Sequence, residues 1–279
     1  MKQPFDLEWL GGPAEKYFRR LRPGVEDLPW GTLRPADYPP RLVDRARVSW
    51  TEAAYNEYST AAAFSELLRL LLEARAPVDL IGMASDFVAD EVLHIELTSR
   101  LAMELGGGAP YRIDFEALVP PLRGETPLER ANEAVVRLCC VGEAYSVPML
   151  AGCRRSAAHP LTRAVLERIV VDEAPHGRFG WLYLDWIADE LSHGERKRLA
   201  AVAMETLRVL SPLWRKLSSR VSEGVTTEGY LLSHVRELGW MESSEYARVA
   251  REAVRVEVAE PLARYGIELS EQELRALLD

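Results

Sequence analysis

The sequence predicts an all-α fold built around a four-helix bundle with one long crossover connection. Segments with apolar residues at helical spacing extend from residue 46 to residue 192, and no convincing strand pattern interrupts them. The predicted connections are short between the first two helices, long between the second and third (106–125), and short again before the fourth. This order indicates one crossover along the bundle, whereas a simple up-and-down bundle needs none.

Capping residues and prolines set the limits of the four helices. Ser49 and Glu52 fit a capping box at the start of the first helix. Three glycines at 106–108 end the second, and Thr126 caps the third ahead of a proline at its first position. Gly194 is expected to follow the end of the fourth helix. The predicted ranges are about 49–74, 77–105, 126–154 and 160–192.

The segments on either side of the bundle differ from each other in composition. Residues 1–45 are rich in proline and are expected to form an irregular N-terminal extension. Residues 193–279 are expected to form a C-terminal helical extension packed on the bundle, with helices over 195–219, 243–266 and 270–278. The predicted domain organisation is therefore 1–45, 46–192 and 193–279.

Net charge, cysteine count and the length of apolar stretches indicate which partners and cellular location to expect. The chain has 279 residues and a net charge of −9, which argues against nucleic acid or an anionic membrane as a partner. Three cysteines do not make a disulfide framework. The N-terminus has no apolar signal region, and no uninterrupted apolar stretch reaches about 18 residues. We therefore expect a cytoplasmic protein without a membrane partner.

The sequence D-E-x-x-H occurs twice, on the second and fourth predicted helices. A glutamate and a histidine three residues apart lie on the same face of a helix. Pro175 lies inside the second copy and has no N–H, so the carbonyl of Val171 loses its helical hydrogen-bond donor. This proline either opens a coordination position at the site or is merely tolerated. The residues of the two copies are Asp90, Glu91 and His94, and Asp172, Glu173 and His176.

The first and third helices each offer one further glutamate on an apolar face. Glu143 has no ionisable neighbour at helical spacing, whereas Glu133 has charged neighbours and is interpreted as a surface residue. On the first helix, Glu57 lies among small and aromatic residues, and Glu66 lies beside charged ones. Glu57 is therefore the predicted ligand, with Glu66 as the alternative.

Four carboxylates and two imidazoles in one apolar interior require compensating cations. The predicted metal ligands are Glu57, Glu91, His94, Glu143, Glu173 and His176. Two divalent ions would balance the four carboxylates. Oxygen-rich ligation with two imidazoles favours iron or manganese over a metal that prefers thiolate. The predicted cofactor is two iron ions, with manganese or a mixed manganese and iron pair as alternatives.

This set of residues resembles the ferritin-like di-iron carboxylate superfamily over residues 46–192. The resemblance implies a ferritin-like bundle in which Asp90 orients His176 and Asp172 orients His94. Thr98 stands where the ribonucleotide reductase small subunit has its radical tyrosine, so the resemblance favours an oxidase or oxygenase. It implies O2, a small organic substrate and an electron donor as partners. The alternatives are a ferroxidase or peroxide-handling protein, and a non-catalytic metal-binding helical protein.

Several residues near the motifs are candidates for a substrate pocket. Gly177 and Gly180 leave space beside the metals or serve close helix packing, and Tyr183 faces the same way as His176. The C-terminal helices are expected either to cover the bundle or to form a homodimer interface. The candidate pocket residues are Phe64, Thr98, Cys139, Ser146, Val147, Gly177, Gly180 and Tyr183.

Overall fold

The fold is all-α, as the sequence predicts. The computed structural model describes residues 1–217 and 220–279, with 71% of the chain in helices and 3% in strands. The first six helices are α1 (Gly12–Leu21), α2 (Pro40–Glu73), α3 (Val78–Glu104), α4 (Pro127–Val135), α5 (Ala144–Ser156) and α6 (Pro160–Ile187). Short 3-10 turns lie at Pro35–Asp37, Phe115–Ala117 and Ala188–Glu190.

The N-terminal region is more ordered than predicted. α1 lies inside the segment expected to be irregular, and α2 begins at Pro40 and not at Ser49. Pro40 occupies the first turn, where the missing N–H costs no hydrogen bond, and buried Leu42 and Val43 hold that turn against the core. The predicted capping box at Ser49 and Glu52 is wrong, because both residues lie within the continuous helix.

The third long helix changes its hydrogen-bonding pattern in the middle. The predicted capping box of Thr126 and Glu129 is confirmed at the start of α4. A π-helical segment, Val136–Glu143, then joins α4 to α5. The N–H of Ala144 donates to the carbonyl of Cys139, five residues earlier. Such a segment rotates the following turns relative to an α-helix, and here it ends at Glu143.

The long helices pack around one buried centre. α2 lies along α3, α5 along α6, α3 contacts α6, and α2 contacts α4. A long connection between α3 and α4 begins with Gly106 and Gly107, both at positive φ, so the predicted end of the second helix is confirmed. The ferritin-like arrangement of these helices stays a prediction. Within that connection, β2 (Arg112–Ile113) pairs antiparallel with β1 (Gln3–Pro4).

The C-terminal region is helical and covers one side of the long helices. Ser192 caps the next helix through the N–H of Glu195, so Gly194 lies in a first turn and the predicted stop there is wrong. α10 packs on α5, and α7 packs on the π-helical segment 136–143. The last two residues of the helix predicted over 195–219 lie outside the described residues. The helices are α7 (His193–Leu210), α8 (Pro212–Arg215), α9 (Leu232–Glu237), α10 (Ser243–Ala253), α11 (Glu260–Arg264) and α12 (Glu271–Leu278).

Two smaller features complete the C-terminal region. A second π-helical segment, Val254–Ala259, joins α10 to α11. β3 (Val221–Ser222) and β4 (Val225–Thr226) form a short antiparallel hairpin.

Within residues 1–217 and 220–279, one segment, Pro127–Ser156, is long and apolar enough to cross a membrane by length and composition. Half of its most apolar window is buried inside the protein, and the segment includes the buried carboxylate of Glu143. The buried carboxylate and the buried half of the window fit a helix that packs in the protein core. The cytoplasmic location stays a prediction.

Candidate metal centre

The structure brings the six predicted metal ligands together as two overlapping sets. One set is Glu57, Glu91, His94 and Glu173, and the other is Glu91, Glu143, Glu173 and His176. Within each set the ligand atoms lie within 4.8 Å of one another. Glu91 and Glu173 belong to both sets, so the two carboxylates of the E-x-x-H motifs lie in the middle. Glu57 and Glu143 each belong to a single set.

The histidines direct the same ring nitrogen toward these central carboxylates. Nδ1 of His176 lies 3.0 Å from Glu173 and 3.2 Å from Glu91. Nδ1 of His94 lies 3.1 Å from Glu173 and 3.8 Å from Glu91. Since each central carboxylate faces both imidazoles, a cation beside either histidine would also contact oxygens of Glu91 and Glu173.

The outer nitrogen of each histidine faces an aspartate from the other motif. Nε2 of His94 lies 3.5 Å from Oδ2 of Asp172, and Nε2 of His176 lies 3.5 Å from Oδ2 of Asp90. An acceptor on Nε2 favours the tautomer whose Nδ1 lone pair points inward, as a metal ligand requires.

Each aspartate is in turn held by an arginine. Arg168 donates from Nε to Asp172 at 2.7 Å, and it also donates to the carbonyl of Pro23. Arg22, just after α1, lies 2.8 Å from Oδ1 of Asp90. Residues 22–23 therefore connect the N-terminal region to the outer side of both histidines.

The electrostatics of the cluster suit the binding of cations. Burial raises the pKa of Glu57 and of Glu143 well above the usual range, and the charges of Glu91 and Glu173 add to the effect. Burial alone would lower the pKa of His176, but Asp90, Glu173 and Glu91 raise it to about 12. Without a metal, protons on these groups compensate the buried carboxylates.

Hydrogen bonding gives a second indication that the cluster suits a metal. Nδ1 of His94 and of His176, both oxygens of Glu91 and one oxygen of Glu173 are buried and form no hydrogen bond of normal geometry with the described residues, and the two Nε2 atoms have only their 3.5 Å contacts with the aspartates. A buried polar atom without a partner is costly, and such groups call for a specific explanation. Divalent cations would satisfy the inward-facing atoms, and the donor set of carboxylates and imidazoles fits iron or manganese.

Aromatic side chains pack around His176 on one side of the cluster. The ring of Phe87 lies 4.1 Å from that of His176, and Phe64 lies 5.2 Å from it, edge to face. Phe179 packs against Phe87. All three phenylalanines are buried. Water is therefore excluded from this side of the cluster.

A cavity of about 560 Å³ reaches the opposite side, where the carboxylates lie. It is bounded by α2, α5 and the C-terminal helices, and its lining includes aromatic, apolar and small polar side chains. No Lys or Arg lines it within the described part of the chain. The cluster residues on its wall are Glu57, Glu91, Glu143 and Glu173.

Of the candidate pocket residues, Ser146 lines this cavity, where it lies 3.3 Å from Oε2 of Glu143. The other seven lie outside the lining. A Cβ on Gly180 would lie 2.6 Å from Sγ of Cys140 and 3.1 Å from Cβ of Cys139, so this glycine serves close packing of α6 on the π-helical segment. A Cβ on Gly177 would lie 3.2 Å from Val147 on α5.

The remaining candidates are fixed by contacts with the protein itself. Thr98 donates its hydroxyl to the carbonyl of His94, and the Tyr183 hydroxyl donates to Oδ1 of Asn132 at 2.7 Å. Phe64 packs on His176. The space beside the predicted metal ligands lies toward the C-terminal helices. The spacing of motifs on the four long helices does not reveal this position.

Three further sequence interpretations concern Glu66, Glu133 and Pro175. Glu66 pairs with Arg69 at the surface and does not join the cluster. The surface interpretation of Glu133 is wrong: it is fully buried, and its carboxylate lies 3.0 Å from Arg137 and 2.7 Å from Arg198 of α7. Pro175 is exposed, as is Val171, so the freed carbonyl lies on the face of α6 away from the cluster.

Comparison with protein-family models, with curated proteins and with solved structures finds no match for this chain. The assignment of the site therefore depends on its own geometry and chemistry.

Proposed function

We propose that the protein is a non-haem di-iron oxidase or oxygenase that activates O2 against a small organic substrate. The observation that supports this function best is the asymmetry of the cluster. Both histidines are fully buried, with phenylalanines packed against His176, and a cavity reaches the carboxylate side. Catalytic metal sites keep an accessible position, whereas structural sites are closed by protein ligands.

The six ligands would hold two iron ions, or manganese in their place, and the bound pair would supply the redox chemistry that reduces O2. Glu91 and Glu173 belong to both ligand sets, so each would contribute to holding both ions. Glu57 and Glu143 lie on the cavity wall, where a carboxylate has room to change its binding mode. The hydroxyl of Ser146 restrains the Glu143 carboxylate by a contact of 3.3 Å.

The rest of the chain orients the ligands and controls access. Asp90 and Asp172 would set the orientation of the imidazoles, and Arg22 and Arg168 hold these aspartates in place. The two histidines and the phenylalanines beside His176 are buried, so water is excluded from the histidine side. A substrate in the cavity would lie against the carboxylate side, where it is closest to the reacting centre. An external electron donor is part of this proposal, because O2 reduction beyond two electrons requires one.

The test is rapid mixing of anaerobically Fe(II)-loaded protein with O2, followed by absorbance and by iron oxidation state. We expect oxidation within seconds that stops at the two bound irons. Ala53→Phe, which fills the cavity wall on α2, should slow the reaction, and Ala62→Phe on the same helix but outside the cavity should not. Iron that stays ferrous contradicts the proposal, and uptake continuing far beyond two irons per chain indicates a ferroxidase instead.

A further inference from the structure

The N-terminal segment between Phe5 and Val25 lies on the surface and is anchored at both ends. Phe5 is buried against Tyr55 and Tyr58 of α2, and Val25 is buried in the main core. None of residues 6–24, all of which the structure describes, is buried, and these residues include the whole of α1. We call residues 6–24 the N-terminal strap.

Charged contacts hold the middle of the strap on α3. Arg22 donates from Nη2 to Oδ1 of Asp86 at 2.9 Å and lies 2.8 Å from Oδ1 of Asp90. Arg19 pairs with the buried carboxylate of Glu96. The Arg22 side chain is 14% exposed. Salt and water screen such partly buried pairs less than they screen exposed ones, so these contacts favour the docked strap.

Apolar contact between the strap and the long helices is limited. Phe18 is partly buried against the core, whereas Trp9 and Leu10 are 51% and 89% exposed. A cavity of about 680 Å³ is lined by Leu7 and Trp9 of the strap and by Met103 of α3. A segment with few buried apolar contacts opens at a lower free energy than the core does. Docking of the strap therefore depends strongly on its arginines.

One contact of the strap leads to His176. Arg22 lies against Asp90, and Oδ2 of Asp90 lies 3.5 Å from Nε2 of His176. The Asp90 side chain is 12% exposed, so little water competes with Arg22 for its oxygens. The docked arginine therefore restrains the aspartate that faces this histidine.

A second contact leads to His94. The carbonyl of Pro23 accepts a hydrogen bond from Nη1 of Arg168 at 3.1 Å. Arg168 also donates to Oδ2 of Asp172, and the same oxygen lies 3.5 Å from Nε2 of His94. Departure of the strap would therefore remove one contact behind each of the two histidines.

We propose that docking of the strap and binding of metal to the cluster stabilise each other, with Arg22 as the positioning residue that couples them. Metal binding requires each imidazole to be held with Nδ1 toward the carboxylates, and the docked strap restrains the acceptors that favour this orientation. Such coupling is reciprocal, so metal favours the docked strap as much as the docked strap favours metal. The inference rests on the metal binding included in the proposed function, but it does not require a reaction with O2.

Anaerobic titration of the metal-free full chain with Mn(II), followed by the electron paramagnetic resonance signal of free Mn(II), measures one direction of the coupling. Arg22→Gln should weaken Mn(II) binding about three- to tenfold, less than loss of an outer aspartate does, because the arginine acts through that aspartate. Arg22→Lys keeps a cation and should bind Mn(II) with an affinity between those of Arg22→Gln and the wild type. Arg20→Gln is the matched control and should match the wild type, because this arginine lies over the ring of Tyr17 within α1.

Hydrogen exchange of the strap, measured by mass spectrometry with and without Mn(II), tests the other direction. We expect saturating Mn(II) to slow exchange of the α1 amides in the wild type and to slow it less in Arg22→Gln. The amides of α12, which packs on α7, are the internal control and should exchange equally with and without metal.

The inference is overturned if Arg22→Gln binds Mn(II) as tightly as Arg20→Gln does, or if Mn(II) leaves the exchange of α1 unchanged in the wild type. Its failure is separable from that of the proposed function. Coupled binding in a protein whose bound iron stays ferrous in O2 would leave the inference standing and contradict the function. Oxidation of bound iron by O2 in a protein whose strap exchanges equally with and without metal would contradict the inference alone.

Discussion

Nε2 of His94 lies 3.5 Å from Oδ2 of Asp172, although the two residues belong to different copies of the D-E-x-x-H motif. The second copy supplies the aspartate and the first supplies the histidine, and the reverse pairing joins Asp90 to His176. α3 and α6 therefore each supply the aspartate that faces the histidine of the other. If these histidines bind metal, a single copy of the motif would be insufficient, because each copy carries the acceptor for the histidine of the other.

Asp172→Ala is expected to weaken Fe(II) binding by about 10- to 100-fold, while saturating iron still fills the site. Loss of the acceptor leaves the His94 ring free to rotate and lowers its basicity, which is the usual consequence of removing such a partner. Anaerobic equilibrium titration measures the effect. Asp189→Ala, at an exposed 3-10 turn, is the control and should match the wild type. If Asp172→Ala and the control bind Fe(II) with equal affinity, Asp172 does not orient His94.

Glu57→Gln should lose tight binding at one of the two positions, because Glu57 belongs to a single ligand set. Glu66→Gln should retain full metal content, since Glu66 pairs with Arg69 at the surface. Elemental analysis after desalting distinguishes the two variants. The reverse result would place the α2 ligand at Glu66.

The metal-free protein should become less stable as pH rises from 5 to 8. Glu57 and Glu143 have folded pKa values raised above their ordinary value of 4.5, and His176 is raised from 6.5 to about 12. A group with a raised folded pKa stabilises the fold below its unfolded pKa, and that contribution is lost as pH rises toward the folded value. Glu173 has a lowered pKa, so its stabilising contribution is already complete above about pH 5.

Metal should reverse this dependence, because bound cations replace the protons. The measurement is the melting temperature with and without Fe(II) or Mn(II) at several pH values. We expect the gain from metal to grow with pH. A gain that shrinks from pH 5 to 8 would contradict the charge assignment of the cluster.

Gly180→Ala should destabilise the protein by about 1–3 kcal/mol, the usual cost of overpacking a core. The added carbon would lie 2.6 Å from Sγ and 3.0 Å from the backbone nitrogen of Cys140, and the backbone has little freedom to move away. Gly82→Ala is the control, because a carbon there meets nothing within 4 Å and favours the helix. Chemical denaturation compares the two. A neutral Gly180→Ala would mean that this glycine is not required for close packing of α6.

Glu133→Ala should cost about 3–5 kcal/mol of unfolding free energy, since it leaves Arg137 and Arg198 without their shared buried partner. Glu205→Ala removes an exposed partner of Arg123 and should change stability by about 1 kcal/mol or less. Similar small effects in both variants would show that Glu133 is solvated after all.

Much of the site was predictable, because it depends on spacing within helices. The i, i+3 relation placed Glu91 with His94 and Glu173 with His176, and apolar neighbours separated Glu57 from Glu66. The predicted all-α class and the capping box at Thr126 are confirmed for the same reason, since both are local properties.

Features that depend on distant segments were not predictable from spacing. Glu133 has charged neighbours in sequence, and only the packing of α7 places Arg198 over it and buries it. The cavity is formed partly by Trp240 and Tyr246, which follow the motifs by more than sixty residues. The π-helical segment that ends at Glu143 likewise leaves no periodic signal, because it changes the period itself.

We expect the six side chains of the two overlapping ligand sets to hold a dinuclear metal centre. The most direct measurement is an anaerobic Fe(II) titration of metal-free protein, with Glu91→Ala measured in parallel. We predict saturation at two irons per chain and loss of both in the variant, because Glu91 belongs to both ligand sets. Absence of tight binding in the wild type, or unchanged binding in Glu91→Ala, would contradict the account.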